Sequence, residues 1–365
     1  RNVVGTGPYE LTDYVEDSSL TWTKNPNYWG YDEKYPENRL PYTDQLRNLL
    51  IREPATVTAA LRTAKVDAII TAASYANIEF AESIRRTNPE IKLHKWDYRS
   101  NYSFAATNIF VPSPTDDIMV RHAIQMALDL ETINDTYFSG HAKWLPQGRI
   151  GDGIGSGYKN PFEEWPEEVK QYYRYDPEGA EKLLDDAGYP RGADGVRFTI
   201  PILAISAYSD MGYLEIVKAY LTEIGIGAKI EALDQATWRV VVGDRTWDGL
   251  NFSVLGLDYP PAGLCYRPST QTWTGAAKGP DPVQEEFALA VQAATTLEEE
   301  ARLVKECDMH MIKKHEDIWG PKVPQFTAVQ PWVIGYNGEV EMTNQDRTSI
   351  YARLWIDQEL KDRTQ

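Results

Sequence analysis

Between residues 197 and 255 the chain alternates two hydrophobic periods. Segments 197–203, 228–233 and 249–255 are short, apolar and rich in β-branched residues. Segments 211–224 and 238–242 carry apolar residues at helical spacing. Strands separated by helices cannot be joined as hairpins. They pair in parallel through crossovers, so the order predicts a mainly parallel sheet covered by helices. A similar alternation occupies 46–97, with strands near 46–52, 65–71 and 91–97 and helices near 54–64 and 76–87. Two such α/β layers in 365 residues exceed one ordinary core and predict two domains, with the extended segment 101–108 as the crossing between them. The tail from 333 to 360 reads as a short polar loop and a final strand at 350–356.

Residues 116–140 read as a helical hairpin. Val120, Ala123, Ile124, Ala127 and Leu128 form one apolar stripe, while Arg121, His122 and Gln125 fall off it. Asp116 or Asp117 is placed to cap the first helix and Asp129 the second, with Gly140 as a left-handed stop. At 175–189 a helix is specified with its ends: Asp176 as cap, Pro177 in the first turn, Gly188 as terminator.

Composition narrows the functional classes. A net charge of −17 opposes nucleic-acid binding and anionic membrane surfaces, both of which require clustered Lys and Arg. No apolar run of about eighteen residues is present, and residues 1–9 contain no apolar signal-peptide core. Cys265 and Cys307 fit no metal spacing; a disulfide in an oxidising compartment and two buried thiols both remain open. Aromatics in Gly- and Pro-rich loops, among them Trp29, Trp144, Trp165, Trp273 and Trp332, offer either contact surface for peptides and sugars or filling for loop cores.

Catalytic patterns are missing. His310 and His315 are five apart, whereas a helical zinc pair wants three or four. There is no Gly-x-Ser-x-Gly elbow, P-loop or dinucleotide fingerprint, and the adjacent carboxylates are ordinary for 54 acidic residues. The expectation is a chain without catalytic residues, metal or cofactor.

Six motifs in order carry a resemblance. They are Gly5-Thr-Gly-Pro-Tyr9, Asn25-Pro-Asn-Tyr-Trp-Gly30 and Val57-x-x-Ala-Leu-x-x-x-x-Val66-Asp67, then Asp117-x-x-Val-Arg-x-Ala-Ile-x-x-Ala-Leu-Asp129, Tyr175-Asp-Pro-x-x-Ala-x-x-Leu-Leu-x-x-Ala-Gly-Tyr189 and Pro331-Trp-Val-x-Gly-Tyr336. Together they resemble the extracellular solute-binding proteins, family 5, of ABC importers for peptides, nickel and related solutes. The resemblance implies an α/β, two-lobed periplasmic-binding-protein-like fold (type II, the Venus flytrap) that closes on a solute and delivers it to permease subunits. It implies a protein in the periplasm or outside the cell, with lipid anchoring as an option for a full-length precursor, and a monomer when complete. It also implies that the start of the first lobe and an extra small domain precede this chain. Residues 1–103 would then be the later part of lobe I, 104–328 lobe II, and 329–365 a return to lobe I.

In the peptide-binding relatives, a carboxylate at the position matching Asp258 captures the peptide α-amino group. By that resemblance Asp258 and Tyr259 are the expected ligand contacts, with Tyr102 and Phe104 bordering the cleft and Trp273 stacking on a side chain or sugar. Those relatives usually carry Gly-Trp just upstream, where this chain has Val254-Leu255. Peptides are the expected solute. Oligosaccharides are the alternative within the class, and a cleft hydrolase acting on peptides or glycans is the alternative outside it.

Overall fold

The computed structural model describes residues 5–70, 76–96, 101–108, 110–146, 148, 156–207, 209–255, 281–339 and 347–364. The chain divides into two compact units, residues 1–96 with 325–365, and residues 97–324. The divisions lie a few residues before those expected from the motifs.

In the first unit, β1 (Tyr9–Val15), β2 (Ser19–Lys24) and β3 (Gln45–Leu49) form an antiparallel meander. Helix Pro54–Arg62 leads to β4 (Ala68–Ile69), and helix Ile78–Thr87 to β5 (Lys92–Trp96). The second helix starts at Asn77, whose side chain accepts from Phe80 N at 3.0 Å.

The second unit opens with β6 (Asn101–Ala105). Then come β7 (Phe198–Ile205), β8 (Ile226–Leu233) and β9 (Leu250–Leu255), joined by helices Met211–Glu223 and Gln235–Gly243. This is the strand–helix alternation expected from the hydrophobic pattern. After helices Pro282–Ala293 and Leu297–Lys314, β10 (Asp317–Lys322) completes a sheet of order β10-β6-β9-β7-β8. Only the β7–β8 and β7–β9 pairings are parallel; β6 and β10 run antiparallel to their neighbours. The sheet is therefore mixed rather than mainly parallel. The one reversed strand is β6, which enters ahead of the helical crossovers; β10, antiparallel to β6, runs in the same sense as β7, β8 and β9.

The chain then returns to the first unit. There β11 (Gln325–Val329) lies between β4 and β5, and β12 (Val333–Ile334) pairs with β13 (Trp355–Ile356). The strand expected at 350–356 is instead helix Arg347–Arg353 followed by the two-residue β13. Ile350, Tyr351 and Leu354 pack with Trp332 and Val333, a spacing of one helical turn that short apolar runs do not distinguish from a strand. Trp332 is 1% exposed and donates from Nε1 to Asp67 Oδ1 at 2.7 Å. Trp165 is also buried and Trp29 is 73% exposed, so loop tryptophans serve both as filling and as surface.

The helical hairpin is Ile118–Met126 and Leu130–Thr136, capped by Asp117 to Met119 N at 2.8 Å and by Asp129 to Thr132 N at 2.9 Å. Asp116 turns backward instead, accepting from Ser113 N at 3.0 Å. The polar side of the first helix is not solvated. Arg121, His122 and Gln125 are all buried. Arg121 donates to His315 O at 2.7 Å, Lys314 O at 3.1 Å, and the carbonyls of Thr115 and Asp116 at 2.8 Å each. Two of these acceptors lie at the end of helix Leu297–Lys314, where unpaired carbonyls and the helix dipole both favour a cation. Gln125 clamps β10, accepting from Trp319 N at 2.7 Å and donating to Trp319 O at 3.0 Å.

Candidate functional site

Parallel strands present their carboxyl ends on one edge of a sheet, where α/β proteins place their ligand sites. In the second unit that edge is where β7 and β9 finish. The register pairs Tyr102 of β6 with Val254 and Asn101 with Leu255, so Tyr102 stands at the carboxyl end of β9. The segment that follows, including Asp258, Tyr259 and Trp273, lies outside the described residues, as does Cys265. Cys307 is buried in the helical layer. Asp281 caps helix Pro282–Ala293 and accepts from His310 Nε2 at 2.8 Å and Lys314 Nζ at 2.9 Å. The start of that helix is thereby tied to the last turn of Leu297–Lys314.

At the edge, Asp210 organises a polar group that the sequence reading did not pick out. It caps helix Met211–Glu223 through Tyr213 N at 3.0 Å. It also accepts from the Tyr137 hydroxyl at 2.7 Å and the Tyr102 hydroxyl at 3.0 Å. Its only sequence signal was that of a helix cap, Asp before an apolar run; the tyrosines come from positions 108 and 73 residues away. Gly212 allows the close approach, since a Cβ there would collide with the Tyr137 hydroxyl.

Tyr102 reaches Asp210 from inside the unit. Its ring lies 5.0 Å from Tyr213, 5.3 Å from Phe252 and 6.0 Å from Phe138. Phe104 is fully buried, 5.2 Å from Phe252 and 6.3 Å from Tyr213. The structure brings these two expected residues together in one aromatic core, with only the Tyr102 hydroxyl directed to the edge group. Burial, followed by the charge of Asp210, raises the Tyr102 hydroxyl well above its ordinary value, and burial does the same to Tyr213. Both phenols stay protonated at neutral pH. The arrangement orients a carboxylate and supplies hydroxyl donors; among the described residues it contains no nucleophile–base pair. No described group of three or more His, Cys, Asp or Glu converges to hold a metal ion. No described helix is long and apolar enough to cross a membrane.

Residues 1–275 match the model of the bacterial extracellular solute-binding proteins, family 5, middle region. The chain belongs to this family. The family 5 chain is 26% identical over 259 residues to heme-binding protein A of Haemophilus influenzae, covering 68% of this chain and 42% of that protein. Among solved structures it is similar to the periplasmic binding protein DppA of Helicobacter pylori in complex with the peptide STSA. That match has a TM-score of 0.75 and 20% identity, and covers 97% of this chain and 63% of the other. NikA of Brucella suis, solved with Fe(III)-EDTA, matches with a TM-score of 0.73 and 20% identity over 97% of this chain and 68% of that one. The fold is that of the periplasmic binding proteins, and the family is one of solute binders rather than enzymes. The family 5 chain spans about two-fifths of the curated relative's length.

Proposed function

We propose that this chain is part of a peptide-binding component of an ABC importer, acting in the periplasm or outside the cell and delivering its solute to permease subunits. The observation that carries the reading is the oriented polar group at the carboxyl edge of the second unit's sheet, on the edge where β9 runs toward Asp258. In this reading Asp258 receives the peptide α-ammonium, Tyr259 and Trp273 contact the ligand, and Tyr102 acts indirectly by holding Asp210. A carboxylate–ammonium pair selects any free N-terminus, while the aromatic rings accept varied side chains. The peptide complex of the similar Helicobacter pylori protein supports this solute class.

Thermal unfolding against short peptides, gluco- and xylo-oligosaccharides, haem and nickel–histidine tests the proposal. A peptide at about a hundred times its dissociation constant stabilises the native state by roughly 2.7 kcal/mol. The expected result is a shift with peptides that is lost in Asp258→Ala. A shift with sugars, haem or the nickel complex alone would replace the solute class, and turnover of a labelled peptide would overturn the binding role altogether.

A further inference from the structure

His122, on the buried polar side of helix Ile118–Met126, lines a cavity that belongs to no part of the sheet edge. The cavity measures about 230 Å³, and all its lining residues lie in the second unit. At roughly 30 Å³ per water, it holds about seven or eight waters, the size of one amino acid rather than a peptide.

Its inner wall carries two imidazoles. His122 is 8% exposed and His315 1% exposed, with ring centroids 4.9 Å apart and planes at 80°. Tyr172 lies flat on His122 at 3.5 Å and fixes that ring. His315 holds a left-handed backbone at φ 48° at the end of helix Leu297–Lys314, braced by the Arg121 bond to its carbonyl. Its Nε2 is buried without a hydrogen-bond partner. That nitrogen is sealed in the interior and marks no ligand position; what the cavity itself presents is the His122 ring, the edge of His315 and the side chains around them.

Burial, reinforced by the Arg121 charge, lowers His122 to about 4, and burial then His122 and Arg121 lower His315 well below the ordinary range. Both rings are neutral at physiological pH and repel neither sign of charge. Ile312 supplies apolar wall beside them. The rim carries exposed Glu168 and Lys313, opposite charges with no ion-pair partner among the described residues. A lone cation would leave Lys313 facing it, and a lone anion would leave Glu168. One ligand that carries both charges satisfies both.

We propose that this cavity is a second binding site, for a single zwitterionic amino acid whose ammonium meets Glu168, whose carboxylate meets Lys313 and whose side chain lies against Ile312 and the two imidazoles. The site is separate from the peptide reading and does not depend on it.

The chain has five histidines, so its imidazole nitrogens give a spectrum simple enough to follow individually. The probes are glycine, L-serine, L-leucine and L-phenylalanine at millimolar concentration, with acetate and ethylammonium as half-ligands. The expected result is saturable movement of the His122 and His315 signals with the amino acids, and still signals from His94, His141 and His310. Glu168→Gln and Lys313→Gln, both at exposed positions, should each weaken the effect about tenfold, one charge-assisted contact apiece. Asp258→Ala should leave it unchanged, which separates this site from the peptide site. Absence of movement at saturating probe, equal movement with acetate or ethylammonium alone, or indifference to both rim variants would overturn the proposal.

Discussion

The β1–β2–β3 meander and the β10-edged sheet obey the same pairing rules and rest on different physics. Six of seven positions in β1 are exposed, including Leu11, Tyr14 and Val15, whereas all six positions in β10 are buried. The meander is held by its backbone ladder and by exposed links such as Thr12 to Thr23 at 2.8 Å and Arg52 to Asp17 at 2.6 Å. Exposed contacts of this kind contribute little each, about 0–1 kcal/mol for the ion pair. The five-stranded sheet instead draws on apolar burial and on polar groups bonded within the interior. Strand pairing alone thus sets geometry, and covering layers set stability.

The contrast is most directly broken at Phe104. Its replacement by alanine should cost about 3–5 kcal/mol, because the packed rings of Tyr213 and Phe252 cannot collapse into the space; a smaller shift in the urea midpoint would show the second unit to be plastic. Acid gives the next largest effect. His122 binds its proton near 4 when folded and near 6.5 when unfolded, so the unfolded chain takes up more protons between those values. Stability is therefore complete above about pH 6.5 and falls as pH drops toward 4, by roughly 3 kcal/mol at most from this residue. His122→Phe should flatten that slope while keeping a ring against Tyr172, and an unchanged slope would assign the acid sensitivity elsewhere. The smallest effect belongs to β1: Val15→Thr should move unfolding by no more than about 0.5 kcal/mol. A loss comparable to Phe104→Ala would mean that the meander is covered in solution.

Local chemistry was the legible part of this fold. Asp117, Asp129 and Asp176 cap their helices, and the strand–helix alternation over 197–255 is present, because both depend on neighbours a few residues away. The reversed course of β6, inserted between β9 and β10, depends on pairings more than 140 residues apart and left no local mark. Arg121 was misleading for a related reason. The stripe placed it only off the apolar face, yet it is the only charged residue between Asp117 and Asp129, a composition suited to a fully buried helix. The site divides in the same way. Motif order alone pointed to Asp258, Tyr259 and Trp273, whereas the Asp210 group and the paired imidazoles arise from side chains that meet only after folding.

The Gln125 clamp has a consequence beyond the single molecule. Trp319 directs its N–H and C=O away from β6, along the outer edge of the sheet, and the Gln125 carboxamide takes both, as a neighbouring strand would. Further along the same edge, Lys143 exchanges backbone bonds with Lys322 at 2.9 and 2.8 Å. An open edge is a template on which other chains add and aggregate. Here one side chain imitates a strand that cannot be extended, so β10 is closed to intermolecular β-assembly for as long as the helix stays docked.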